Sequence, residues 1–272
     1  NVCLNDGFTL TANPIGAAMY AWELNGTSFT NTTNTWSITN SALVNGGTYQ
    51  VTVTDAGGCT DVASQIITIN NLPTASNATL EECEDAAGSN SATFTLTDAD
   101  ASVNNSGGVT ITYHSTLANA QNNTGALSTP YTSSDATIYA RVTDNATGCF
   151  ATSTITLTVH SLPTGVTIQN SNNGNSPSDF TVCEGAAINL NVAVIGSSPF
   201  QYNWTLPGGR TPTGAPLHIA SADPTNHNGT WAVTVTDGNG CTASDQINIT
   251  VTPSPSNDDC ADAIPFATSG DN

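Results

Sequence analysis

The stretch VTVTDAGGCT occupies residues 51–60, and the chain says nearly the same thing twice more, as RVTDNATGCF at 141–150 and VTVTDGNGCT at 233–242. In each, an alternating apolar/polar run ends in Thr-Asp, a turn containing glycine follows, and a cysteine closes the phrase. The cysteines give the period, since 149 − 59 = 90 and 241 − 149 = 92. A repeat of that length is a whole small domain, longer than a propeller blade or a solenoid rung, so the chain reads as a tandem array. Asp55, Asp144 and Asp237 each begin a tight turn whose glycine accepts positive φ.

The flanks extend the pattern. TYQVTVTD, TIYARVTD and TWAVTVTD lead into the turns, while SQIITIN (64–70), STITLTV (153–159) and DQINITV (245–251) lead out of them. Period-two alternation rich in Val, Ile and Thr predicts half-buried strands. NNLPTAS, HSLPTGV and TPSPSND follow, each with a proline that stops a strand ladder. These linkers divide the chain into residues 1–73 (a first sandwich, N-terminally truncated), 74–163 (a variant sandwich), 164–255 (a third sandwich) and 256–272 (the start of a further module). Trp22 and Trp204 stand 19 and 21 residues after a cysteine, the place of a core tryptophan in an immunoglobulin-like sandwich. Tyr49, Tyr139 and Trp231 each precede the later cysteine by ten residues, and NGGTY and HNGTW fit the corner turn of such folds. No helical period of useful length appears. The expected fold is all-β, with tandem immunoglobulin-like β-sandwich domains that the short Pro linkers arrange end to end as a rod.

Charge narrows the partners. The 272 residues carry 21 acidic side chains and two basic ones, Arg141 and Arg210, for a formal charge of −19. Nucleic acid is excluded, because its binding needs Lys and Arg to neutralise phosphates. No stretch approaches the roughly 20 apolar residues of a membrane helix, so no membrane insertion is expected in this segment. The acids either keep an exported protein soluble or hold cations, with Ca²⁺ the leading candidate.

Seven cysteines stand at 3, 59, 83, 149, 183, 241 and 260. Six of them fall in order as one early and one late cysteine per repeat. That order predicts the pairs Cys3–Cys59, Cys83–Cys149 and Cys183–Cys241, each closing a loop worth roughly 4 kcal/mol in chain entropy. Cys260 then opens the further module. Disulfides on this scale place the chain in an oxidising, extracellular or cell-surface location.

With these residues in view, VCLNDGFTLTA…YAWELNG…GGTYQVTVTDAGGCT and VCEGAAINLNV…YNWTLPGG…GTWAVTVTDGNGCT resemble the immunoglobulin-like and PKD-like repeats of giant surface proteins of Bacteroidota. The middle repeat, with FTLTDAD and ITYHSTLANA, is similar to another module of the same proteins, and NDDCADAIPF resembles the opening of one more. The resemblance implies a non-enzymatic stalk segment of a long secreted or surface-anchored fibre or adhesin, exported by type IX secretion. Its partners would be other modules of the same chain, neighbouring fibres in a filament, or surface glycans. The alternative is an accessory carbohydrate-binding or spacer region of a secreted polysaccharide-degrading enzyme.

Catalytic signals are lacking. His114, His160, His218 and His227 have no G-x-S-x-G or H-E-x-x-H context and read as surface or turn histidines. Two binding candidates stand out. Glu81, Glu82, Glu84 and Asp85, with Asp98 and Asp100, could converge as oxygen ligands for Ca²⁺ or simply form a solvated acidic edge. Trp36, which has no counterpart in the other repeats, is a candidate stacking platform for a sugar, with core packing as its other reading.

Overall fold

A computed structural model of the chain describes residues 1–171 and 178–254. Cys260 and the expected module at 256–272 lie outside the described residues. By its contacts the chain divides into two units. The first holds residues 1–80 with 94–131 and 136–157, the second residues 81–93 with 132–135 and those from 158 on. The division runs through the middle repeat.

The first repeat contains β1 (Val2–Cys3), β2 (Phe8–Thr11), β3 (Met19–Leu24), β4 (Thr27–Phe29), β5 (Thr35–Ile38), β6 (Gly47–Thr54), β7 (Thr60–Ile67) and β8 (Ile69–Asn70). One sheet has the order β4-β3-β6-β7 and the other is β2-β5. Alternation does the folding here. Tyr49, Val51 and Val53 are the buried positions of β6, and the Thr and Gln between them point away. Ala12, Tyr20, Trp22, Val51 and Val53 form the core, with Leu10 of β2 and Trp36 of β5 packed against it from the facing sheet.

The middle repeat contains β9 (Ala78–Cys83), β10 (Ala92–Phe94), β11 (Val109–His114), β12 (Tyr131–Ser133), β13 (Ala136–Asp144) and β14 (Phe150–His160). Its main sheet runs β11-β13-β14-β9, and β10 pairs with β12. Strand β11 holds the place of the Trp strand, beside the strand that enters the Asp turn and with Tyr113 opposite Ala140, and a short helix, Leu117–Asn122, follows it, capped by the Thr116 hydroxyl, which accepts from Asn119 N–H.

The third repeat contains β15 (Thr164–Asn170), β16 (Phe180–Cys183), β17 (Ile188–Ile195), β18 (Gln201–Thr205), β19 (Leu217–Ile219), β20 (Gly229–Thr236) and β21 (Thr242–Thr252). Its two sheets, β15-β17-β19 and β16-β21-β20-β18, close on Trp204, Trp231, Ile168, Ile188, Leu190 and Ile249. The architecture is that of tandem immunoglobulin-like sandwiches, all-β as the alternation requires.

The corner turn is present in the first and third repeats in one form. The Tyr49 hydroxyl donates to the carbonyl of Asn45, and the Trp231 indole N–H donates to that of His227, both at 2.9 Å and both four residues back. Trp22 and Trp204 are core residues as expected, and their indoles donate to Thr33 and Gly214 carbonyls.

Candidate functional site: the cysteine turns and strand ends

The later cysteine of each repeat is presented by the same turn. The Asp55, Asp144 and Asp237 amides donate to the carbonyls of Cys59, Cys149 and Cys241 at 3.0, 2.9 and 2.9 Å. The Asp side chain closes the loop from inside. Asp55 Oδ1 accepts from the amides of Gly57 and Cys59, Asp144 Oδ1 from those of Ala146 and Thr147, and Asp237 Oδ1 from those of Asn239 and Cys241. Those amide bonds hold the Asp144 carboxyl below its ordinary range, the one from Thr147 most of all. Gly58, Gly148 and Gly240 take the positive φ that these turns require.

The earlier cysteine sits elsewhere. Cys3 pairs with Asn70 in parallel β1–β8, and Cys183 with Thr252 in parallel β16–β21. The amide of the next residue repeats one bond in all three repeats: Leu4 to Asn70, Glu84 to His160 and Glu184 to Thr252, at 2.8, 2.9 and 2.8 Å. Each earlier cysteine therefore lies beside the end of its repeat's last strand, where the chain leaves. Each later cysteine lies just before that strand begins. The offset is constant, since 70 − 59, 160 − 149 and 252 − 241 are all eleven residues.

This corrects the expected pairing. Eleven residues of extended strand span about 36 Å at ~3.3 Å per residue, and a disulfide needs Cα atoms within roughly 7 Å. Cys3–Cys59, Cys83–Cys149 and Cys183–Cys241 are thus at opposite ends of their sandwiches. Instead Cys3 bonds Cys149 with Cα atoms 5.5 Å apart, and Cys83 bonds Cys241 at 5.6 Å. The early cysteine of one repeat takes the late cysteine of the next. Cys149 and Cys241 are buried by this, whereas Cys59 and Cys183 are free and exposed.

A glutamate beside the cysteine was missed as part of this site. Glu84 is buried, and its carboxylate accepts from the amides of Gly88 (2.9 Å), Asn90 (3.0 Å) and Leu162 (3.4 Å). These bonds, Gly88 foremost, lower its pKa. Glu184 accepts from the Ser254 amide at 3.1 Å. Leu162 and Ser254 each stand two residues past the strand end that their own cysteine flanks, so each Cys-Glu pair grips the departing linker. The dipeptide Cys-Glu at 83–84 and 183–184, absent from the first repeat (Cys3-Leu4), was the signal in the sequence.

The remaining candidate acids have protein partners of their own or stand in solvent. Glu81 Oε2 is 3.1 Å from His160 Nε2. Asp85 accepts from the Thr93 amide and hydroxyl. Asp100 accepts from the Tyr113 hydroxyl, whose pKa is driven far up by burial and then by this carboxylate. Glu82 and Asp98 are exposed. Among the described residues no three His, Cys, Asp or Glu side chains gather as a metal site. Trp36 is half-buried, with its ring centroid 4.3 Å from that of Phe29. The ring packs on the first repeat's core.

Two histidines differ from the surface expectation. His114 is fully buried, with Nδ1 2.8 Å from the Thr124 carbonyl and Nε2 2.9 Å from the Thr112 hydroxyl. His227 is in the expected turn but is buried there, its Nε2 2.7 Å from Arg210 Nη1. Both cations are committed to the fold. Arg141 Nη1 donates to the Ala120 and Gln121 carbonyls, and its guanidinium lies 3.4 Å above the Phe150 ring.

Residues 79–163 match the family described as Flavobacterium inter-domain disulphide bond domain. Both cysteines in that segment, Cys83 and Cys149, are bonded outside it. No curated protein matches the chain. Among solved structures, the three N-terminal domains of the bacteriophage RB49 Highly Immunogenic Outer Capsid protein are similar at 14% identity, with 92% of this chain and 96% of that one covered and a TM-score of 0.40. The N-terminal eight Ig domains of Down Syndrome Cell Adhesion Molecule are similar at 17% identity, over 93% of this chain and 35% of that one, with a TM-score of 0.34. Extracellular domains 3–5 of Drosophila OTK give 12% identity, 92% and 93% coverage and a TM-score of 0.31. Among the described residues no helix is long and apolar enough to cross a membrane.

Proposed function

We propose that this chain is a non-enzymatic, tension-carrying stalk segment of a long extracellular or cell-surface protein. The observation that carries this is the stagger of the disulfides: each bond joins the exit end of one repeat to the trailing turn of the next, so the bonds serve the array and not the single sandwich. The loops overlap. Cys3–Cys149 and Cys83–Cys241 share residues 83–149. A force applied between Cys3 and Cys241 can therefore straighten only the 83–149 stretch of the middle repeat, while residues 3–83 and 149–241 stay slack inside covalent loops. The Cys-Glu grip on the linkers acts in the same sense. Two disulfides fit an oxidising compartment, and the Lys-free acidic surface keeps neighbouring chains apart by charge.

Single-molecule pulling between residues flanking Cys3 and Cys241 tests the reading. With both bonds intact, the shortest covalent path runs Cys3–Cys149, back along the chain to Cys83, and across to Cys241. That path contains 66 residues, so extension stops at about 220 Å; after reduction all 238 residues pay out to about 800 Å. An unreduced chain that stretches well past the first limit contradicts a covalently stapled stalk.

A further inference from the structure

Cys59 and Cys183 are both thiols and both exposed. Neither is irregular in its own repeat. Cys59 stands on the same Asp-closed turn as Cys149 and Cys241, with the Asp55 carboxylate on its amide as Asp237 is on that of Cys241. Cys183 stands at the same strand end as Cys3, paired to Thr252 as Cys3 is to Asn70. Their equivalents are all bonded, and always by one rule: the cysteine at a strand end takes the cysteine on the turn of the following repeat.

We propose that Cys183 and Cys59 are the two open ends of this staggered series, each bonded to a further repeat of the same kind in the same polypeptide. Cys183 takes the turn cysteine of the repeat after its own, and Cys59 takes the strand-end cysteine of the repeat before its own. The inference rests on the stalk reading. The existing bonds span 146 and 158 residues, so each partner should lie about that far from Cys183 and Cys59 along the chain. By this rule Cys260 is not the partner of Cys183: in sequence order it takes the strand-end place of the next repeat, 77 residues on, after intervals of 80 (83 − 3) and 100 (183 − 83). Chemically, two thiols lose two protons and two electrons as the S–S bond forms. The acceptor is the disulfide of an exported thiol–disulfide oxidoreductase, which leaves as a dithiol.

Disulfide mapping of the full-length protein as its cell exports it provides the test. Free thiols are blocked with iodoacetamide before reduction, and chymotrypsin is used because only two basic residues are available to trypsin. The expected result is that neither Cys59 nor Cys183 is blocked. Cys183 should be linked to a peptide with a Thr-Asp turn and a following cysteine, and Cys59 to one with a strand-end cysteine. The protein should run as a monomer on a non-reducing gel. Blocked Cys59 or Cys183, a Cys183–Cys260 bond, a Cys59–Cys183 bond, or covalent multimers that link two copies would each overturn the proposal. The pulling measurement reads only the Cys3 and Cys83 bonds, so failure there is separable from failure here.

Discussion

Replacing Cys83 and Cys241 together by serine should cost the second unit about 5 kcal/mol. The figure follows from the loop the bond closes. For 158 residues the chain-entropy relation gives about 5 kcal/mol at 25 °C. The neighbouring bond changes this little: with Cys3–Cys149 closed, residues 83 and 149 are joined by a second path of 80 residues (83 − 3) beside the direct 66 (149 − 83), which trims the effective loop only slightly, and the dependence is logarithmic. Urea unfolding followed by the fluorescence of Trp204 and Trp231, both buried in the third repeat's core, reads the loss directly. The control is Cys59→Ser with Cys183→Ser in the same 272-residue segment, which removes two exposed thiols with no disulfide partner among the described residues and should shift stability by less than about 0.5 kcal/mol. If the control pair costs as much as the Cys83/Cys241 pair, or the latter costs nothing, the staggered bonding is wrong.

Arg141→Met should destabilise the middle repeat by about 2–4 kcal/mol, because the Ala120 and Gln121 carbonyls at the end of the short helix lose their charged donor; Arg141→Lys should recover only part of it in the same unfolding assay. Burial, and then the Arg210 charge, lower the pKa of His227, so the folded state binds its proton less readily than the unfolded state. Its contribution is therefore whole above the ordinary value of 6.5 and is lost as pH falls below it; urea midpoints measured from pH 8 to 5 should decline for wild type and flatten for His227→Gln. Glu84 has the opposite chemistry but the same acid sensitivity: its lowered pKa gives stability that is whole above the ordinary 4.5 and is lost as pH falls through its folded value. Glu84→Gln should remove that acid-side slope, and hydrogen exchange should show the Leu162 amide less protected.

Much of the fold was legible because it is written in local terms. Period-two alternation at 47–54 and 229–236 fixes which residues face the core, and each Asp-turn-Cys phrase encodes its own hydrogen bonds. The tryptophans at 22 and 204 and the corner residues at 49 and 231 were readable for the same reason. The disulfide partners were not. Adjacency in sequence order suggested bonds within a repeat, whereas pairing depends on which end of a sandwich each cysteine occupies. That end is set by β1 lying parallel to β8 and β16 parallel to β21, a long-range register that no local pattern states. The protein partners of the acids at 81–85 were hidden for a related reason. Their clustering along the chain says nothing of direction, and along β9 and the turn after it they are drawn to different partners: His160 for Glu81, backbone amides for Glu84, and Thr93 for Asp85. The burial of His114 was equally hidden, since the Thr124 carbonyl that receives its ring lies beyond the helix Leu117–Asn122.

The central claim is that the disulfides bind successive repeats and not the two ends of one. Chymotryptic mapping of the unreduced chain by mass spectrometry tests it most directly. The account predicts Cys3 linked to Cys149 and Cys83 linked to Cys241. Recovery of Cys3–Cys59, Cys83–Cys149 and Cys183–Cys241 peptides would contradict it.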